Sequence, residues 1–175
     1  MKKNKIIGIG LSIIIAAGIF KVNANEVKIL NNYQLLKRCE VYKDTRLSKN
    51  DFYEALTENL NFTEKEADFI VNNLGIDYQA NADEIAKMYG ITCNFSKKST
   101  YDALIKYASF TEEEAYKAVE NLNVSWEMNA TVRLLNFLQE YDMSVNEMYE
   151  LLKEEEFTEI EIENAIKTIK YFKGK

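Results

Sequence analysis

The triplet Phe-Thr-Glu stands at three places, Phe62-Thr63-Glu64, Phe110-Thr111-Glu112 and Phe157-Thr158-Glu159, at spacings of 48 and 47 residues. Self-similarity at such a period marks a repeat protein, in which each unit covers the apolar face of a neighbour. Each threonine is followed three residues later by a glutamate (Glu66, Glu114, Glu161), the spacing of a capping box that closes the open amide donors of a new helix. The phenylalanine before each threonine faces Ala67, Ala115 or Ile162 five residues on, the spacing of a hydrophobic staple. Three helices therefore start alike.

Alignment on these phenylalanines extends the pattern. Asp51, Ser99 and Asn146 lie eleven residues upstream and are expected N-caps of a first helix that carries Leu56, Leu104 and Leu151. Downstream, Ile70, Ala118 and Ala165, then Val71, Val119 and Ile166, then Leu74, Leu122 and Ile169, recur at helical spacing as the buried stripe of a second helix. Gly75 and Asn123 supply residue types that tolerate a left-handed C-terminal cap. A third helix is expected from Gln79 to Tyr89 and from Glu127 to Tyr141, each with an Asn-Ala pair (Asn81-Ala82, Asn129-Ala130) and an aromatic just before it, Tyr78 or Trp126. The aromatics read as core wedges, and the asparagines as amides that satisfy backbone groups where helices approach closely.

The expected fold is all-α: tandem repeats of short helices, with a leading helical segment at 25–47, a first repeat at 48–90, a second at 96–142 and a truncated third at 143–175. The connection from Gly90 to Lys98 reads as the break between units. No proline and no Gly/Ser-rich linker occurs, so packed modules are expected.

The first 24 residues are a different polymer. Lys2, Lys3 and Lys5 precede an apolar run from Ile6 to Phe20, and Val22-Asn23-Ala24 offers a cleavage site, so residues 1–24 read as a secretory signal peptide. The alternative is an uncleaved anchor, the one route by which this chain would touch a membrane. The run is shorter than the ~20 residues a spanning helix needs, which favours cleavage. Loss of these residues removes four lysines and no acid, so the net charge of −6 becomes −10. Such a surface repels nucleic acid and suits basic partners.

The chain has no histidine, and with it go the usual general base and the commonest zinc ligand. Phosphate-cradling glycine loops, calcium loops and a serine or cysteine beside a base are absent from the sequence. No catalytic, metal or cofactor residue is assigned, and an enzyme is not expected. Cys39 and Cys93 are two cysteines in an exported chain; a disulfide between them and a pair of buried thiols are both open. Acids crowd around Glu112, Glu113, Glu154, Glu155, Glu156 and Glu159. At Glu112, Glu113 and Glu159 the helix dipole explains them, whereas Glu154-Glu155-Glu156 closes a helix and opposes it. These six are the candidate contacts for a basic protein partner.

The stretch FTEEEAYKAVENLNVSWEMNA, Phe110 to Ala130, resembles the repeat of the Ltp family of host-cell-surface-exposed lipoproteins: a Phe-Thr-Glu-Glu-Glu-Ala start, an Ala-Val-x-Asn-Leu helix and a Trp-x-x-Asn-Ala end. FTEKEADFIVNNLGIDYQANA, Phe62 to Ala82, is similar with Tyr78 in the tryptophan place, and the third copy keeps Phe157 to Ile169. The resemblance implies helix-turn-helix-like modules displayed outside a Gram-positive-type bacterium, encoded by it or by its prophage. It further implies superinfection exclusion, in which a surface protein contacts phage tail components and hinders DNA injection. This chain departs from the family in lacking a lipobox cysteine after the apolar run. Beside phage exclusion stands a second expectation, a secreted envelope or adhesion module that binds another protein.

Overall fold

The computed structural model describes residues 31–173. Among these residues the regular structure is helical throughout, with no strand. The helices are α1 (Asn32–Cys39), α2 (Lys49–Glu54), α3 (Glu64–Asn73), α4 (Tyr78–Lys87), α5 (Lys97–Lys106), α6 (Glu112–Glu120), α7 (Trp126–Glu140), α8 (Val145–Glu154) and α9 (Glu159–Lys173). A 3₁₀ turn extends α1 to Tyr42, and single π turns extend α2 to Asn59 and α4 to Thr92. The expected signal peptide and the start of the leading helix lie outside the described residues.

The capping boxes form at the repeated triplets. Thr63 and Glu66, and Thr111 and Glu114, bond reciprocally to each other's backbone amides, and Thr158 and Glu161 do the same. Each preceding phenylalanine is buried against its staple partner's level: Phe62, Phe110 and Phe157 are nearly covered, and Ala67, Ala115 and Ile162 are wholly so.

The helices that precede these triplets begin two or three residues earlier than the sequence suggests. Ser96 caps α5 and Ser144 caps α8 through their hydroxyls, so Ser99 is the residue being capped and Asp51 and Asn146 lie inside helices. Phe95-Ser96 and Met143-Ser144 repeat the apolar-hydroxyl pairing of Phe-Thr, and Ser144 forms a full capping box with Glu147. The third helices are capped likewise, by Asp77 and Ser125.

One residue links consecutive helices at these turns. Asn61, Asn94, Ser109 and Glu156 are left-handed, at φ 56, 54, 52 and 63°, and each is followed by a phenylalanine. That phenylalanine's amide reaches back to close the preceding helix, Phe62 to Leu56, Phe95 to Tyr89 and Phe110 to Leu104. Its ring then staples the next helix. Gly75, at φ 78°, supplies the left-handed residue after α3, as its type suggests. Asn123 does not adopt that conformation.

The 47-residue spacing has its cause in the turn after α8. There Phe157 bonds to Leu152, five residues back instead of six. The missing residue moves the buried position on by one, so Leu152 is fully buried, as Leu56 and Leu104 are, while Leu151 is only half-buried.

The described residues fall into two compact units. Residues up to Thr45, with Asp51–Ile76, form the first, in which α1 packs on α3. Arg46–Asn50 and Asp77 onward form the second. In it α4 packs on α6 with α5 alongside, and α7 on α9 with α8 alongside. Ala82, Ala86, Leu104, Phe110 and Ala115 centre one core, and Ala130, Leu134, Leu152, Ile162 and Ala165 the other. Alanines at the crossings allow the close approach.

The boundary between units thus falls at Ile76–Asp77, and the Gly90–Lys98 connection lies inside the second unit. It is packed, not a linker. Tyr89 stacks on Phe95 at 5.5 Å with ring planes 10° apart, Ser96 is buried, and Trp126 lies over Gly90, where a Cβ would stand 3.2 Å from its ring. The side-chain amide of Asn129 donates to the carbonyls of Gly90 (2.6 Å) and Phe95 (2.9 Å). The same device recurs at Asn81, which donates to the Leu47 carbonyl at 2.8 Å.

Candidate protein-interaction surface

The six acids singled out in the sequence have different fates. Glu112 and Glu113 open α6 and Glu159 opens α9, all exposed, where negative charge meets the positive end of the helix dipole. Glu113 also binds Lys117 at 2.5 Å, and that hydrogen bond holds its carboxyl below the ordinary range. These two acidic starts belong to different helix pairs, because α6 packs on α4 and α5 while α9 packs on α7 and α8.

The Glu154-Glu155-Glu156 run is not one solvated patch. Glu155 is gripped by the Arg133 guanidinium, with Nε 2.8 Å from Oε2 and Nη2 on Oε1; both side chains are mostly covered. Hydrogen bonding to Glu155 raises the Arg133 pKa further. The Glu155 carbonyl accepts the Ser99 hydroxyl at 2.8 Å, and the Glu156 carboxylate accepts the same hydroxyl at 3.3 Å with Lys98 4.0 Å away. Two of the three acids therefore tie α8 to α7 and α5. Only Glu154 stands exposed without such a role in the geometry described.

On α5, Asp102 is held by Lys98 and, at 2.9 Å, by Lys106. Hydrogen bonds from these two lysines lower its carboxyl pKa. Lys97 pairs with Glu120 at 2.8 Å. The basic side chains of α5 are thus each paired with an acid.

Cys39 and Cys93 are free thiols, so the bridge left open by the sequence is not formed. Cys39 is fully buried at the end of α1, and burial pushes its thiol up to about 11. Cys93 is half-buried at the end of the π turn after α4. Tyr78, half-buried, has its phenol raised to about 12 by burial, with Glu114 adding to the effect. Trp126 packs on the α4–α6 core, as a core wedge does.

Sequence reasoning missed the exposed apolar side chains, since periodicity assigns faces and not coverage. Tyr33, Val41, Tyr116, Tyr141, Ile160 and Tyr171 each expose well over half their surface. Among the described residues no helix is long and apolar enough to cross a membrane, and no group of His, Cys, Asp and Glu side chains is placed to hold a metal ion.

A family model described as host cell surface-exposed lipoprotein matches residues 77–122. The match begins at the N-cap of α4 and ends just after α6, so it spans the packed triple α4–α5–α6. Its frame is rotated from the one that starts at Phe-Thr-Glu: it opens on Tyr78-x-x-Asn81-Ala82 and closes on Asn121-Leu122. No curated protein matches the chain. Among solved structures, the chain is similar to Ltp, a superinfection exclusion protein from the Streptococcus thermophilus temperate phage TP-J34, at 32% identity, over 55% of this chain and 100% of that one, with a TM-score of 0.48. With that identity sustained across the full length of the solved chain, and the family's pattern laid on α4–α6, this chain belongs to the family of host cell surface-exposed lipoproteins.

Proposed function

We propose that this chain acts at the cell surface as a non-enzymatic protein-binding module in phage superinfection exclusion, contacting a tail component of an incoming phage and hindering DNA injection. The observation that carries this reading is the 32% identity to the TP-J34 exclusion protein along the whole of its solved chain. The chemistry is consistent with it: no histidine occurs in the chain, and exposed acids at the starts of α6 and α9 favour a basic partner over duplex DNA. Glu112, Glu113, Glu154 and Glu159 are the proposed contacts, and the Arg133 and Ser99 bonds take Glu155 and Glu156 out of that set.

The test is plaquing on a phage-sensitive Gram-positive host that expresses the chain. Plaque numbers should fall while phage adsorption to the cells stays unchanged, and release of phage DNA into the cytoplasm should drop. Normal plaquing, with the chain found outside the cells, would sink the exclusion reading and leave the envelope-module alternative. Mass spectrometry of the same culture gives the location: Asn25 as first residue marks export and cleavage, whereas Met1 intact in the membrane fraction marks an anchor.

A further inference from the structure

The start of α7 docks on the segment that follows α4, and the counterparts of both surfaces are exposed elsewhere in the chain. Asn129 and Arg133 sit one turn apart on α7. The Asn129 amide meets the Gly90 and Phe95 carbonyls, and Arg133 lies within electrostatic reach of Cys93. Two repeat lengths earlier, the positions of Asn129 and Arg133 are held by Tyr33 and Lys37 of α1, both exposed, Tyr33 by 71%. One repeat length after Cys93 and Lys97 stand Tyr141 and Val145, exposed by 59% and 42%.

The two faces are complementary in charge. From Leu138 to Glu150 the chain carries Glu140, Asp142, Glu147 and Glu150 and no lysine or arginine. α1 and the end of α3 border an open groove of about 320 Å³, whose lining includes Leu36, Leu74, Tyr33 and Lys37, with Glu40 paired to Lys43 at 3.7 Å. Leu36 and Leu74 suit an aromatic ring, and Lys37, the groove lysine outside the Glu40–Lys43 pair, suits an acid beside that ring.

We propose that these faces meet between copies of the chain, Tyr141 of one entering the groove beside α1 of the next with Asp142 against Lys37, so that the docking of α7 on the Gly90–Ser99 segment is continued from molecule to molecule. Because the two faces differ, the contact is heterologous and builds head-to-tail rows, not a closed symmetric dimer. The proposal is independent of the phage reading.

Sedimentation velocity of the chain from Asn25, which contains every described helix, tests it. The weight-average mass of the native sequence should rise with concentration, and Lys37→Glu, Asp142→Lys and Tyr141→Ala should each sediment as single chains. An equimolar mixture of Lys37→Glu and Tyr141→Ala should form pairs and nothing larger, since it retains one intact groove and one intact acidic face, while the altered faces set the introduced glutamate against Asp142 without the ring; pairing also shows that both variants are folded. A native chain that stays single at every concentration overturns the proposal, as do assemblies that survive both substitutions or a mixture that fails to pair.

Discussion

The side-chain amide of Asn129 donates to the carbonyl of Gly90 at 2.6 Å across 39 residues of sequence. A second bond from the same nitrogen, to Phe95 at 2.9 Å, makes this buried amide the polar fastener between α7 and the segment that follows α4. Replacing Asn129 with alanine leaves both carbonyls without that donor, and each lost bond costs about 0.5–1.5 kcal/mol. The denaturant midpoint should fall, with a total loss of about 2 kcal/mol. An unchanged midpoint would mean that water replaces the amide at no cost.

Ser109 occupies the left-handed region at φ 52°, where a side chain costs roughly 1–2 kcal/mol. Glycine removes that cost but adds freedom to the unfolded chain. The sum predicts that Ser109→Gly stabilises by about 0.5–1 kcal/mol. Thermal unfolding decides the sign, and a lower midpoint would show that the serine side chain contributes more than its backbone costs.

Glu154 and Glu155 are neighbours with opposite expectations. Glu155→Lys sets a lysine against the covered Arg133 and should destabilise by about 3 kcal/mol, the scale for breaking one side of a covered ion pair. Glu154→Lys should leave the midpoint within about 0.5 kcal/mol, as exposed substitutions do. Equal midpoints for the two variants would contradict the Arg133–Glu155 geometry.

The two thiols should react in order. A group held near 11 instead of the ordinary 9.0 presents roughly one hundredth of the thiolate at pH 8, so iodoacetamide should label half-buried Cys93 well before Cys39, as read by peptide mass spectrometry. The retained proton also gives a sign for stability. Between pH 9 and 11 the unfolded thiol ionises first, so the fold should weaken as pH rises through that window. Labelling of Cys39 ahead of Cys93 would place it outside the core.

The helix class, the three capping boxes and the buried stripes of α3, α6 and α9 were legible in the sequence because each rests on contacts within a few residues. The N-caps Ser96 and Ser144 lie three and two residues before the expected Ser99 and Asn146, which are acceptable caps; at Ser144 the capping-box partner Glu147 is a local signal that alignment on Phe157 passes over. Leu151 was preferred to Leu152 because a fixed count from Phe157 hides a shortened turn. The role of Asn129 as an amide serving backbone carbonyls was legible, but its partners 34 and 39 residues away were not. In the candidate surface, the acids could be read and their ownership could not: whether Glu155 faces a partner or Arg133 depends on how α7 lies over α8.

Each phenylalanine of the repeated turns completes one helix with its amide and begins the next with its ring. An insertion or deletion beside it therefore disturbs two helices at once, and the single residue lost before Phe157 is tolerated where the closing bond shortens by one position. Families built on such turns should vary mainly by gaining or losing whole helix triples, so the lengths of related chains should cluster at steps of one triple, with few values in between.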